Sequence, residues 1–255
     1  MMNFLRMGLA LLSFFLLACS PASQISLRES TVYPMNDSTV AETDSFTIQL
    51  IRPYSDQLRS SMGVVLARSS GSLEKGLPES PLGNFVSDLC LLRGKLEYNP
   101  SDGKNIDFAV FNNGGLRKSL PAGEITKGDV FELMPFENEL VILTMNGADV
   151  EKIFNFIASK GGAPVSGTRF TISNGRAEHI LIDNKALDES REYKILTSDY
   201  LANGGDQFNL FTKAIRREST GIKIRDAIIQ HLYIMGRTEQ IVHAERDGRI
   251  IKNDQ

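Results

Sequence analysis

Two short stretches combine the residue types needed to hold a small polar molecule. The first is Asn112-Asn113-Gly114-Gly115-Leu116-Arg117, directly after the apolar run Phe108-Ala109-Val110-Phe111. Asparagine and glycine tolerate positive φ, glycine lets backbone approach a ligand, and arginine is a fixed cation with a planar fork of donors. The second is Asn203-Gly204-Gly205-Asp206, which comes after the expected strand Tyr193-Lys194-Ile195-Leu196-Thr197. Arg117 can grip phosphate or other oxygen atoms, and Asp206 can accept hydrogen bonds from two hydroxyls, as from a ribose diol. Phe136 behind Pro135 and Tyr200 before the second loop are aromatics close to loops. Two aromatics flanking a slot can sandwich a base, each stacked pair adding about 0.5–1.5 kcal/mol beyond its area burial. Each feature alone has a plainer reading: a β-turn with a solvated arginine, and two core aromatics.

These loops need rigid elements behind them. The run at 108–111 is short and apolar, as in a strand buried on both faces, and the strand expected over 106–111 delivers the first loop to a sheet edge. Further strands are expected at 63–67, 140–145, 170–172, 180–182 and 193–197, with Asn-Gly and Asp-Asn punctuation between the later ones. Helical spacing of apolar residues runs through 45–62. A second helix opens at Pro81 with Ser80 as its N-cap, and Phe85, Val86, Leu89, Leu92 and Leu96 form its apolar face. A third opens at Gly147, places Val150, Ile153, Phe154 and Ile157 on one side, and ends at Gly161-Gly162. A last helix covers about 222–235. Strands and helices interleave, yet several strands are joined by short turns. The expected class is therefore α/β (α+β), with a mixed β-sheet core and packed helices, not a doubly wound parallel sheet.

The chain has 255 residues, 42% of them apolar and 23% charged, enough for one large core or two small ones. A net charge of -3 and the lack of a Lys/Arg cluster argue against a nucleic-acid partner. Residues 1–19 read as a lipoprotein signal peptide: Arg6, an apolar run, then Leu16-Leu17-Ala18-Cys19, with Cys19 the expected lipidation site. Residues 20–44 are rich in Ser, Thr and Pro and read as a flexible tether, and 45–255 as the folded domain. Cys90 is the other cysteine, so no intrachain disulfide is expected after processing; its helical, apolar setting marks a small core residue.

Several motifs occur in a telling order: Glu79-Ser80-Pro81-Leu82-Gly83-Asn84, the Asn112 loop, Gly123-Glu124-Ile125-Thr126, Pro135-Phe136-Glu137-Asn138 and Tyr200-Leu201-Ala202-Asn203-Gly204-Gly205-Asp206-Gln207-Phe208. With them the sequence resembles the C-terminal, substrate-binding domain of periplasmic and cell-surface 5′-nucleotidases, over about 45–212. The resemblance implies a nucleoside pocket in which Phe136 and Tyr200 stack the base and Asp206 holds ribose hydroxyls. Asn112, Gly114, Gly115 and Arg117 would line the sugar-phosphate side, with Asn203 and Gly205 counted in the same site. Those enzymes also carry an N-terminal domain holding two metals, whereas here a signal and a tether stand ahead of the domain. His179, His231 and His243 are the histidines, none in an Asp-x-His or His-x-His arrangement. Two-metal hydrolysis needs several ligands converging on ions about 3.5–4 Å apart. No catalytic residue, metal or cofactor is therefore expected in this chain, and divalent metals are expected on a partner. Pro78 stands where the family usually places a second arginine, which leaves Arg117 as the main phosphate anchor.

The sequence thus points to the nucleoside- or nucleotide-binding subunit of a split 5′-nucleotidase, working with a separate metallophosphatase. Its expected place is the bacterial cell envelope, lipid-anchored to a membrane and facing the periplasm or the surface. The alternatives are a non-catalytic nucleoside- or nucleotide-binding lipoprotein, and a structural lipoprotein with a decayed pocket.

Overall fold

The computed structural model describes residues 30–32, 44–100 and 102–253. The signal peptide, the expected lipidation site Cys19 and most of the 20–44 tether lie outside those residues. The chain divides into two compact units between Ile51 and Arg52.

In chain order the helices are α1 (Ser45–Met62), α2 (Pro81–Glu97), α3 (Lys127–Leu133), α4 (Gly147–Ser159), the single turn α5 (Asp199–Ala202) and α6 (Ile224–Arg237). The strands are β1 (Val65–Ser69), β2 (Phe108–Val110), β3 (Gly123–Thr126), β4 (Glu139–Asn146), β5 (Val165–Ser166), β6 (Thr168–Ser173), β7 (Arg176–Ile182), β8 (Lys185–Ala186), β9 (Glu192–Ser198), β10 (Arg216–Lys223), β11 (Ile241–Val242) and β12 (Ile250–Asn253). They form three sheets, ordered β11-β1-β3, β10-β4-β9-β2-β5 and β12-β6-β7-β8. Each mixes parallel and antiparallel pairs, in keeping with the short connections.

The five-stranded sheet is the centre. Side chains alternate across a strand, so a strand buried on both faces feeds two cores at once. In β4, Leu140 and Ile142 enter one core while Val141, Leu143 and Met145 enter the other. β2 divides likewise, Ala109 to one side and Phe108 with Val110 to the other, as does β9, with Leu196 against Tyr193 and Ile195. α2 and α6 cover the first face and α4 the second. Burial of β2 and most of β4 follows from their apolar runs, whereas β9 also buries Lys194, Thr197 and Ser198.

Local signals set the helix ends. Ser80 Oγ accepts the Gly83 amide at 3.1 Å and Pro81 occupies the first turn, as expected. Gly161 and Gly162 terminate α4 at φ 84° and 122°, values that favour glycine. Cys90 is fully buried, and that burial pushes its thiol pKa up.

Other expectations need correction. The apolar spacing puts Leu92 and Leu96 on the buried face of α2, but they are 48% and 67% exposed. The helix instead meets the sheet at Gly94, where an added Cβ would come within 2.9 Å of Leu196 Cδ2. The first strand starts at Val65, not at residue 63, and the strand expected over 106–111 narrows to Phe108–Val110. The last helix starts at Ile224, because Ile222 still belongs to β10. That strand escapes sequence reading because it is a largely exposed sheet edge rich in charge, with no apolar run to mark it. No residue of α1 is buried, although its apolar spacing is regular.

Candidate functional site

Topology brings the two glycine loops together. β2 and β9 are parallel neighbours, pairing Phe108 with Ile195 and Ala109 with Leu196. Their carboxyl ends therefore open at one edge of the sheet, the usual location of ligand sites in α/β folds. β4 runs antiparallel to β9 with Leu140 opposite Ser198, which brings the segment preceding β4 to the same edge. Three loops distant in sequence converge there.

The first loop leaves β2 through Asn112 and makes one tight turn, Asn113–Gly115. Buried Leu116 pins it below, and the Arg117 amide donates to the Leu133 carbonyl at 2.8 Å. The Arg117 side chain stays exposed, with Nη1 3.3 Å from the Gly114 carbonyl oxygen. In the second loop Ser198 caps α5, accepting from the Leu201 amide at 3.1 Å, and α5 presents Tyr200. The chain then turns through three left-handed residues, Gly204 (φ 88°), Asp206 (φ 50°) and Gln207 (φ 68°). Gly205 lies against the Tyr200 ring: a Cβ there would sit 2.5 Å from Cε1 and Cζ. Only glycine lets the loop wrap the aromatic ring so closely.

A cavity of about 310 Å³ opens between the loops. Asn112, Gly114, Gly115 and Arg117 line it from the first loop, Tyr200 and Asp206 from the second, and Phe136 with Asn138 from the segment before β4. Phe136 is 40% and Tyr200 43% exposed, so neither is a core aromatic. The Asp206 carboxylate is held at both oxygens: the Tyr200 hydroxyl donates to Oδ1 at 2.8 Å, and Asn112 Nδ2 donates to Oδ2 at 2.6 Å. The bond to Asp206 raises the Tyr200 hydroxyl above its usual pKa. The cavity thus combines aromatic surface, an exposed guanidinium and an oriented carboxylate, the groups that suit a planar, polyhydroxylated or anionic molecule.

Of the residues singled out from sequence, Asn203 and Gly205 do not line the cavity. Asn203 Oδ1 accepts from Arg217 Nη1 of β10 at 2.6 Å, and Gly205 contributes by its lack of a side chain. Pro78 also lies away from it, beside a different cavity with Leu77 and Gly161. Glu79 is buried and accepts from Asn84 Nδ2 and the Asp247 amide, both at 2.6 Å, which ties the C-terminal segment to α2. Sequence reasoning missed two residues. Asn138 lines the cavity directly. Arg225, in the first turn of α6 and 7% exposed, lies under the Phe136 segment. Its Nη1 donates to the carbonyls of Met134 at 3.4 Å and Phe136 at 3.3 Å, Nη2 pairs with Glu137, and the guanidinium lies 4.3 Å from the Phe131 ring centroid. Its helix also carries Asp226, His231 and Arg237, so nothing in the local sequence marked Arg225 as the buried one.

His231 packs edge-on against Phe85 with centroids 6.0 Å apart, His243 Nδ1 lies 3.0 Å from Ser70 Oγ, and His179 is exposed on β7. Among the described residues, no three His, Cys, Asp or Glu side chains are grouped to hold a metal ion.

Fold and cleft together define a mixed-sheet α/β domain with an open cavity at one sheet edge. Residues 61–213 match the family model described as 5′-nucleotidase, C-terminal domain, and the chain belongs to that family. A 5′-nucleotidase of Vibrio cholerae is 26% identical over 234 residues, covering 88% of this chain and 40% of that protein. A 5′-nucleotidase of Vibrio vulnificus is 30% identical over 179 residues, covering 66% and 31%. The crystal structure of a 5′-nucleotidase precursor from Thermus thermophilus matches with a TM-score of 0.68 at 26% identity, covering 83% of this chain and 44% of that one. The chain therefore spans less than half the length of these relatives. The family and the mixed-sheet fold expected from the motifs both hold.

Proposed function

We propose that the cavity binds a nucleoside or nucleotide, and that the chain is the substrate-binding subunit of a split 5′-nucleotidase. The observation that carries this reading is that Phe136 and Tyr200, 64 positions apart, line one cavity with Arg117 and Asp206. The aromatics would stack the base, Asp206 would accept the ribose hydroxyls, and Arg117 would hold the 5′-phosphate. A cavity of about 310 Å³ lies at the lower end of the usual range for small-molecule sites. Gathering these groups in one place speaks against a structural protein with a decayed pocket.

The described residues do not fit a di-metal centre, so no hydrolytic step is assigned to them. A separate metallophosphatase would supply the metals and the chemistry. Exposed Tyr54 and Leu58 on α1 form the proposed apolar contact with it. Acylation of Cys19 would hold the chain on a membrane of the cell envelope, at about 0.8 kcal/mol per buried CH₂. Sharing that surface with its partner would raise their effective concentration.

Thermal unfolding with adenosine or AMP tests the reading. A ligand that binds only the native state adds about 2.7 kcal/mol at one hundred times its Kd, so the midpoint should rise with concentration. An unmoved midpoint with both ligands removes the nucleoside site. Co-purification of a metallophosphatase supports the split enzyme, whereas ligand binding without any such partner favours a plain binding lipoprotein.

A further inference from the structure

We propose that the Tyr200 hydroxyl is a positioning group: it orients the Asp206 carboxylate, and through that carboxylate sets the preference of the site for a ligand with a vicinal diol. The inference rests on the nucleoside-binding reading above, and concerns how the site distinguishes one sugar from another.

Asp206 sits on an exposed loop where it and Gln207 both adopt left-handed backbone. A carboxylate in such a place would ordinarily rotate freely, and ordering it would fall to the ligand. Here it is ordered beforehand. The Tyr200 oxygen is used twice by the same residue, donating to Asp206 Oδ1 at 2.8 Å and accepting from the Asp206 amide at 3.3 Å. Asn112 Nδ2 holds the other oxygen at 2.6 Å from the opposite loop.

Acceptor counting gives this arrangement its consequence. An ionised carboxylate offers about four lone-pair sites, two on each oxygen. Tyr200 takes one on Oδ1 and Asn112 one on Oδ2, which leaves one site on each oxygen, the number a vicinal diol needs. The bond to Asp206 also raises the tyrosine above its usual pKa. Phenylalanine at this position would keep the aromatic face toward the cavity and lose the orienting hydroxyl. Tyr200 therefore has two separable functions, one in its ring and one in its oxygen.

The experiment compares adenosine with 2′,3′-dideoxyadenosine, measured by calorimetry on the wild-type chain and on Tyr200→Phe. Wild type should favour adenosine. Tyr200→Phe should bind adenosine about 3- to 10-fold more weakly, the range expected when one side chain must be immobilised on binding, and should bind the dideoxy compound nearly unchanged. The ratio between the two ligands therefore contracts. A merely structural hydroxyl would lower both affinities together, and that result, or an unchanged ratio, overturns the proposal. Wild type binding the two ligands equally removes the diol preference, and the proposal with it, while leaving the nucleoside site standing. Wild type binding neither ligand removes the nucleoside site itself. The substituted side chain is 43% exposed, so the thermal midpoint of the free variant should match wild type closely enough to compare affinities.

Discussion

The Phe136 carbonyl accepts a hydrogen bond from the Arg225 guanidinium at 3.3 Å, so an exposed aromatic plate is held from beneath by a buried cation. The same guanidinium reaches the Met134 carbonyl and Glu137, and Lys223 pairs with Glu137 from the end of β10. The Ile224 amide adds a bond to the Asn138 carbonyl at 2.9 Å. The segment presenting Phe136 and Asn138 is thereby fastened to α6 along its length. Removing the fork with Arg225→Met should cost about 1.5–3 kcal/mol of stability, the range for hydrogen bonds from a charged donor. It should also weaken adenosine binding. Arg225→Lys should recover only part of both losses, because an ammonium is a point charge without the planar fork. Urea midpoints and binding isotherms read the two effects, and full recovery by lysine would show that charge alone matters.

Phe136→Ala should weaken nucleoside and nucleotide binding alike, by about 1–3 kcal/mol for a lost stacking partner. Its ring is partly exposed, so folding stability should change little. Unchanged affinity for both ligands would take Phe136 out of the site.

Arg117→Ala should separate the two ligands instead. Its guanidinium is exposed and lines the cavity, and only a nucleotide offers it a phosphate. AMP affinity should fall more than adenosine affinity, and more strongly at low salt, where surface charges are less screened. Equal losses would end the phosphate assignment.

His231 predicts a pH dependence of stability. Burial against the α2 face, then repulsion from Arg93, lowers its pKa below the ordinary value of 6.5. The unfolded chain therefore takes up this proton at higher pH than the folded one. Stability from this group is complete above about pH 6.5 and declines as pH falls from there toward the depressed folded value. His231→Phe should flatten that part of the profile in unfolding measured from about pH 7.5 to 5. An identical slope in the variant would assign it to other groups.

Sequence and structure divided the work along physical lines. Helix starts and stops were legible because caps and breakers act within one turn: Ser80 with Pro81, and Gly161 with Gly162. The central strands were legible because a strand buried on both faces is apolar at nearly every position, as at 108–110 and, with Thr144 the exception, at 140–145. The loop residues were legible by type, since Gly114, Arg117 and Asp206 carry chemistry that composition alone displays. What lay outside reach depended on register and strand order. Nothing local states that β2 lies parallel to β9, yet that pairing sets both glycine loops at one edge. Nor does local pattern show that Asn203 turns to Arg217, or that Arg225 supports Phe136 from 89 positions away.

The residues able to recognise a ligand, and the strands and helices that carry them, were determined by the sequence, because periodicity, capping and side-chain chemistry act over short range. Which of those residues meet was decided by tertiary structure. Closing β2 beside β9 brought Asn112 within hydrogen-bonding distance of Asp206, which Tyr200 already holds within its own loop, because contacts between distant segments follow from how the whole sheet packs.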